Sequence, residues 1–239
     1  MLPAHVVVGF HHWGMVTAKF CYSLARAISY EGGRIKGCLD MPSPYTDEAR
    51  NKIVETFLKM PETEFLLMVD CDIEFEKDAI SKSIWVAQNT EADVLWGNYA
   101  LGGFSNSLFS KDPESDFGVA LAEAKANKVY EGLYAGGTGW CLMRRTHLLK
   151  MQEKFKDIDP WPWFGRDLIK GRSGELVRMG EDLTFGKRSW DMGAKQVGYT
   201  GLLLLHHKTQ PLCPPFMSEM AKEFGAGMSS LQPATLKQE

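Results

Sequence analysis

Hydrophobic positions along this chain follow two periods. Short unbroken runs of large apolar side chains alternate with longer stretches where apolar residues recur every three or four positions, the pattern of an α/β domain. His5 to Phe10 predicts a first strand, and Thr17 to Tyr30 a helix with Phe20, Leu24, Ala27 and Ile28 on one face. Arg34 to Leu39 predicts a second strand. A helix follows in which Thr46 stands as the cap, Asp47 and Glu48 suit the positive end of the dipole, and Ile53, Val54, Phe57 and Leu58 form the apolar stripe. Phe65 to Val69, five large apolar residues in a row, reads as a strand buried on both faces. Lys77 to Asn89 predicts a third helix and Asp93 to Trp96 another strand.

Past Gly97 the rhythm breaks. Leu101 to Glu131 is mostly polar with one Ala-rich stretch and reads as containing a mobile loop. Order returns with a strand from Trp140 to Met143 and a helix from Thr146 to Phe155, followed by an aromatic loop, Pro160 to Phe164. Glu181 to Met192 predicts a helix closed by Gly193, and Leu202 to Leu205 a last strand. The tail after Gly225 reads as loosely ordered.

Composition narrows the class. A chain of 239 residues suits a single domain, and a net charge of −3 does not mark a general nucleic-acid binder. The longest apolar run, Val197 to Leu205, is too short to span a bilayer. No basic residues precede the first apolar stretch, which suits a strand rather than a secretory signal. Five cysteines without a Cys-x-x-Cys spacing argue against a zinc site or a disulfide framework. They read as small buried hydrophobes in a cytoplasmic, reducing environment.

Candidate chemistry starts at Asp70-Cys71-Asp72, directly after the buried Phe65–Val69 strand. Parallel α/β sheets bind ligands just beyond the carboxyl ends of their strands. Two residues apart in extended chain, both carboxylates point to one side, roughly 7 Å apart, so one can hold a divalent cation while the other reaches a ribose or a metal-bound water. A second Asp-x-Asp, Asp157 to Asp159, has no strand before it and a proline after it. Glu181-Asp182 opens a late helix, where carboxylates are stabilised as caps and where one could also serve as a general base.

The ordered set Ala49–Val54, Phe65–Ile73, Asp93–Tyr99, Gly136–Arg145, Gly180–Phe185 and Leu203–His206 resembles GT-A fold glycosyltransferases. The likeness is to small soluble family-2-like members found in bacteria and phages. It implies an α/β GT-A (Rossmann-like) mixed sheet flanked by helices. A nucleotide-sugar-binding half would span about 1–100, an acceptor-binding and catalytic half about 101–225, and a loose tail 226–239. It further implies metal-dependent transfer of a sugar from a nucleotide-sugar donor, a UDP-sugar by default, to an acceptor hydroxyl with inversion.

By that resemblance Asp70 and Asp72 bind a manganese or magnesium ion and the donor diphosphate, with His206 or its neighbour His207 as a further ligand. Arg50, Asn51, His11 and Gly97 would contact the nucleotide. Asp182 would be the base and Glu181 a ligand to the acceptor or the alternative base.

A nucleotidyltransferase is the rival enzyme, but it should carry a basic, glycine-rich loop after the first strand. Gly9-Phe10-His11-His12-Trp13-Gly14 has no Lys or Arg. A catalytically dead binding module should not retain Asp70, Asp72 and Asp182. Residues 144–195 carry twelve Lys or Arg against eight Asp or Glu, with Trp161, Trp163 and Phe164 among them. Basic side chains with interleaved aromatics suggest DNA bearing a hydroxymethylated pyrimidine as acceptor; the alternative is a saccharide or protein.

Overall fold

A computed structural model describes residues 4–101, 106–115, 118–121, 124–158, 161–171 and 173–207. Asp159, Pro160, Cys213 and the tail 226–239 lie outside these. In chain order the elements are β1 Val6–His12, α1 Ala18–Glu31, β2 Ile35–Pro42, α2 Thr46–Leu58, β3 Phe65–Val69, β4 Ile73–Phe75, α3 Ala79–Asn89 and β5 Val94–Gly97. There follow β6 Leu108–Lys111, β7 Gly118–Ala120, β8 Val129–Glu131, β9 Ala135–Gly136, β10 Trp140–Arg144, α4 Arg145–Lys154, β11 Leu168–Lys170, β12 Leu176–Arg178, α5 Glu181–Asp191, β13 Gln196–Tyr199 and β14 Leu204–His206.

The main sheet has seven strands in the order β2-β1-β3-β10-β5-β13-β8. β1 pairs in parallel with both β2 and β3, and β13 in parallel with β5. β10 lies antiparallel between β3 and β5, with Trp140 opposite Val69 and Cys141 opposite Trp96. The α/β class with one mixed sheet flanked by helices, expected from the sequence, is what the chain adopts.

Alternation along the strands divides the core. Val6, Val8, Leu67, Val69, Leu95 and Leu142 pack under α1 and α3 through Phe20, Ala27, Ile80 and Ile84. Val7, Leu66, Met68, Val94, Trp96 and Cys141 face the other way, toward Ile53 and Phe57 of α2, Leu148 of α4 and Phe185 of α5. Gly9 lets α2 approach β1, because a Cβ there would lie 2.5 Å from Ile53 Cγ2.

Several local expectations are corrected. Thr17 caps α1 by accepting from the Phe20 N–H at 3.1 Å, but Ile28 faces solvent rather than the core. Thr46 is the first residue of α2, not its cap; Tyr45 occupies that place without a side-chain hydrogen bond. The mostly polar stretch 101–131 also carries β6, β7 and β8, strands that its pattern did not reveal. Among the described residues only Cys141 of the cysteines is a buried hydrophobe: Cys21 and Cys38 are exposed, Cys71 half-buried, and all four are free thiols. No helix among the described residues is long and apolar enough to cross a membrane.

Candidate active site

The carboxyl ends of β1, β3 and β5 share one edge with the start of antiparallel β10 and with the N-termini of α2 and α5. Arg50, one turn into α2, is the centre of this edge. It is 5% exposed, donates through Nη2 to Asp70 Oδ1 at 2.8 Å and through Nη1 to Glu181 Oε1 at 2.7 Å, and lies over the Phe164 ring. Burial opposes its charge, but Asp70, Glu181 and Asp182 around it outweigh that and raise its pKa. A buried cation between two acids is tolerable because both faces of the guanidinium fork are matched. Two acids 111 positions apart in the chain are thereby drawn to one point.

Asp182 sits beside this trio. Its Oδ1 accepts from the Leu183 N–H at 2.8 Å, yet burial and then the charge of Glu181 raise its pKa above the ordinary 3.8. A carboxylate of that kind is a better proton acceptor than one in water. His11, at the end of β1, feels Arg50, Asp70, Glu181 and Asp72; burial first and Arg50 second lower its pKa, so the imidazole is neutral at pH 7. His12 turns away, with Nε2 2.9 Å from Asp40.

The loop after β3 forms a second centre. β4 and β14 pair antiparallel with His206 opposite Ile73, which sets His206 beside Asp72. His206 Nδ1 donates to the Ala100 carbonyl at 3.0 Å, leaving Nε2 to face Asp72 Oδ2 at 3.2 Å, and the hydrogen bond to Asp72 raises its pKa. His207 points elsewhere, bonded to Glu74 at 2.7 Å. Asp72 Oδ1 is buried without a hydrogen-bond partner.

An orphaned carboxylate oxygen next to an imidazole nitrogen fits a divalent cation. No group of three or more His, Cys, Asp or Glu is arranged to hold a metal among the described residues. Two protein donors are nonetheless enough where phosphate oxygens and water complete the shell.

The structure alters several expected roles. Asp70 bonds Arg50 through Oδ1 and also adds its charge to those that raise the pKa of His206. Arg50 has both terminal nitrogens on carboxylates, so it positions Asp70 and Glu181 instead of presenting its charge to a phosphate. Asn51 is fully buried: Nδ2 donates to the Asp47 and Phe164 carbonyls and Oδ1 accepts from the Phe164 N–H, which makes it a clamp between α2 and the 161–167 segment, not a nucleotide contact. Gly97 is a packing glycine, since a Cβ would strike Trp140 and Leu204 at 2.6 and 2.7 Å.

The aromatic loop is corrected too. Trp163 and Phe164 are 1% and 0% exposed, Trp163 donating to the Leu148 carbonyl and Phe164 stacking on Phe185. Arg145 and Arg188 from the basic stretch are likewise tied to backbone carbonyls, Arg188 also to Asp167. Trp163, Phe164 and Arg188 of the surface inferred for DNA are therefore interior, whereas Lys150, Lys154, Lys156, Arg166, Lys170, Arg178 and Lys195 are exposed.

Sequence reasoning missed Tyr99, whose hydroxyl accepts from the Gly139 N–H at 3.0 Å and whose ring meets His206 edge-on. Burial, then Asp70, pushes its pKa far up, so it stays a neutral phenol. It also missed Asn98 and Thr138, each with a buried oxygen lacking a partner. Only their place beside Gly97 and Gly139 pointed to them.

No known protein family matches the chain, and no curated protein does. Solved structures match. TarS from S. aureus in complex with UDP-GlcNAc gives a TM-score of 0.46 at 15% identity over 98% of this chain and 68% of that one. GalNAc-T7 with UDP, GalNAc and Mn2+ gives 0.48 at 10% identity, over 85% of this chain and 44% of that one. A197 from STIV gives 0.57 at 18% identity over 84% of this chain and 85% of that one. At that level the likeness is one of fold, and the fold of this chain is shared with A197 from STIV.

Proposed function

We propose that the protein is a GT-A-type, metal-dependent glycosyltransferase that moves a sugar, with inversion, from a nucleoside diphosphate donor to an acceptor hydroxyl. The observation that supports this best is the convergence of Asp70, Glu181 and Asp182 around buried Arg50, with the Asp72–His206 pair alongside. Asp72 and His206 would hold the cation. When bound, a divalent ion neutralises charge developing on a leaving diphosphate.

The chain's own residues supply the rest. Asp182 takes the acceptor proton, its raised pKa improving the match to a hydroxyl at neutral pH. Arg50 fixes Glu181 next to it and keeps Asp70 turned to the same point. Neutral His11 offers an uncharged ring at the end of β1, where the nucleotide would lie. Hydrolysis or transfer of UDP-sugars, measured with manganese and with a chelator, tests the reading. Pyrophosphate release from a nucleoside triphosphate and a sugar phosphate would replace it with nucleotidyl transfer.

A further inference from the structure

A cavity of about 510 Å3 opens between the start of α2 and Ile158, Trp161, Gly165–Asp167 and Arg178. It belongs to the same edge as the Arg50 cluster. Asp47, on its wall, is one helical turn before Arg50, and Arg188, also on its wall, is two turns beyond Glu181 on α5. Its walls are held rigid. Asn51 bonds Phe164 to α2 in both directions, and Arg188 grips the Trp161 carbonyl at 2.7 Å and Asp167 at 2.6 Å. Gly165 makes room for that guanidinium, since a Cβ there would lie 2.8 Å from Arg188 Nη2.

The lining decides what fits. Tyr45, 63% exposed, and half-buried Trp161 supply two aromatic rings. Three acids, Asp47, Glu48 and Asp167, stand against three arginines, Arg166, Arg178 and Arg188. Two of these acids are already ion-paired with lining arginines, Asp47 with Arg166 at 3.0 Å and Asp167 with Arg188. A balanced lining gives a polyanion little to gain, because phosphate binding depends on cations that replace counterions. A neutral, polyhydroxylated ligand suits it better: its C–H faces lie on aromatic rings, while fixed carboxylates accept and guanidinium groups donate to its hydroxyls.

We propose that this groove is the acceptor site and that it takes a neutral saccharide, held between Tyr45 and Trp161. The assignment of the saccharide as acceptor rests on the glycosyl-transfer reading; its binding here does not. Titration of the full chain with cellotriose, maltotriose, xylotriose and chitotriose tests it, alongside a DNA duplex bearing hydroxymethylcytosine. At least one saccharide binds, Tyr45→Ala and Trp161→Ala each weaken it about tenfold, and Trp161→Phe, which keeps a ring, restores most of the affinity.

Failure of every saccharide to bind, or binding indifferent to both alanine substitutions, overturns the proposal. So does duplex binding that is lost in the same variants and falls steeply with salt. Saccharide binding without any binding of UDP sinks the glycosyl-transfer reading alone; UDP binding without saccharide binding sinks the groove alone.

Discussion

At the scale of single residues, charge placed under burial governs the site. Arg50 is needed because it satisfies two acids at once. Arg50→Met leaves Asp70 and Glu181 without their partner and should cost about 3–5 kcal/mol in urea unfolding, with activity lost. Arg50→Lys keeps the charge but not the fork, so it should restore stability more than activity.

Asp182→Asn keeps the shape and removes the basicity. Turnover should fall roughly 10²-fold or more while UDP affinity persists; unchanged turnover would leave Asp182 a helix cap. Only deprotonated Asp182 can accept the proton. The rate should therefore rise with pH through a midpoint above 3.8, which a pH profile of kcat/KM reads directly.

Asp70, Asp72 and Asp182 could be singled out in the sequence because a strand end and a helix start place carboxylates toward ligands. The burial of Asn51, Trp163 and Phe164 could not, because their polar and aromatic letters do not say which side of α2 or of the 161–167 segment is interior.

At the scale of elements, β3 emerged from the sequence with its observed bounds, since five consecutive buried apolar residues fit only a central strand. β4 did not: three residues with Glu74 in the middle are too few to show a period, and β4 is what carries Asp72 to His206. The contact of β1 with α2 makes a test. Gly9→Ala should destabilise by about 1–3 kcal/mol and shift α2, with Arg50 on it, away from Asp70; adding Ile53→Leu, which has no Cγ2, should recover part of both stability and turnover.

α4 carries another expectation. Burial, the largest cause, pulls the pKa of His147 from 6.5 to about 4, and its Nε2 lies 2.9 Å from Ser189 Oγ. A depressed folded pKa stabilises above pH 6.5 and is lost as pH falls toward 4, a contribution on the order of 3 kcal/mol over that window. Unfolding stability should therefore be about 2 kcal/mol lower at pH 5 than at pH 7.5, and His147→Asn should flatten that difference.

For the whole molecule, ligand linkage reads the site without any turnover. If Asp72 and His206 hold a cation together with a diphosphate, manganese and UDP should raise the melting temperature jointly far more than separately. A joint stabilisation of about 2.7 kcal/mol is expected at a hundredfold excess over Kd. Asp72→Ala should erase the joint effect while the protein stays folded, and a shift that survives that change would remove the pair from the metal site.

The placement of β10 also governs how the chain comes to be folded. β3 and β5 make no bonds to each other; the strand between them is encoded about 40 residues after β5. During synthesis at 5–20 residues per second, two open strand edges wait on the order of 2–8 s for it. A fragment ending near residue 100 should thus aggregate rather than bind nucleotide, because its sheet is split down the middle with unsatisfied amides on both sides of the gap. The sheet edge that the first half of this chain presents is continuous only once β10 from the second half has closed it.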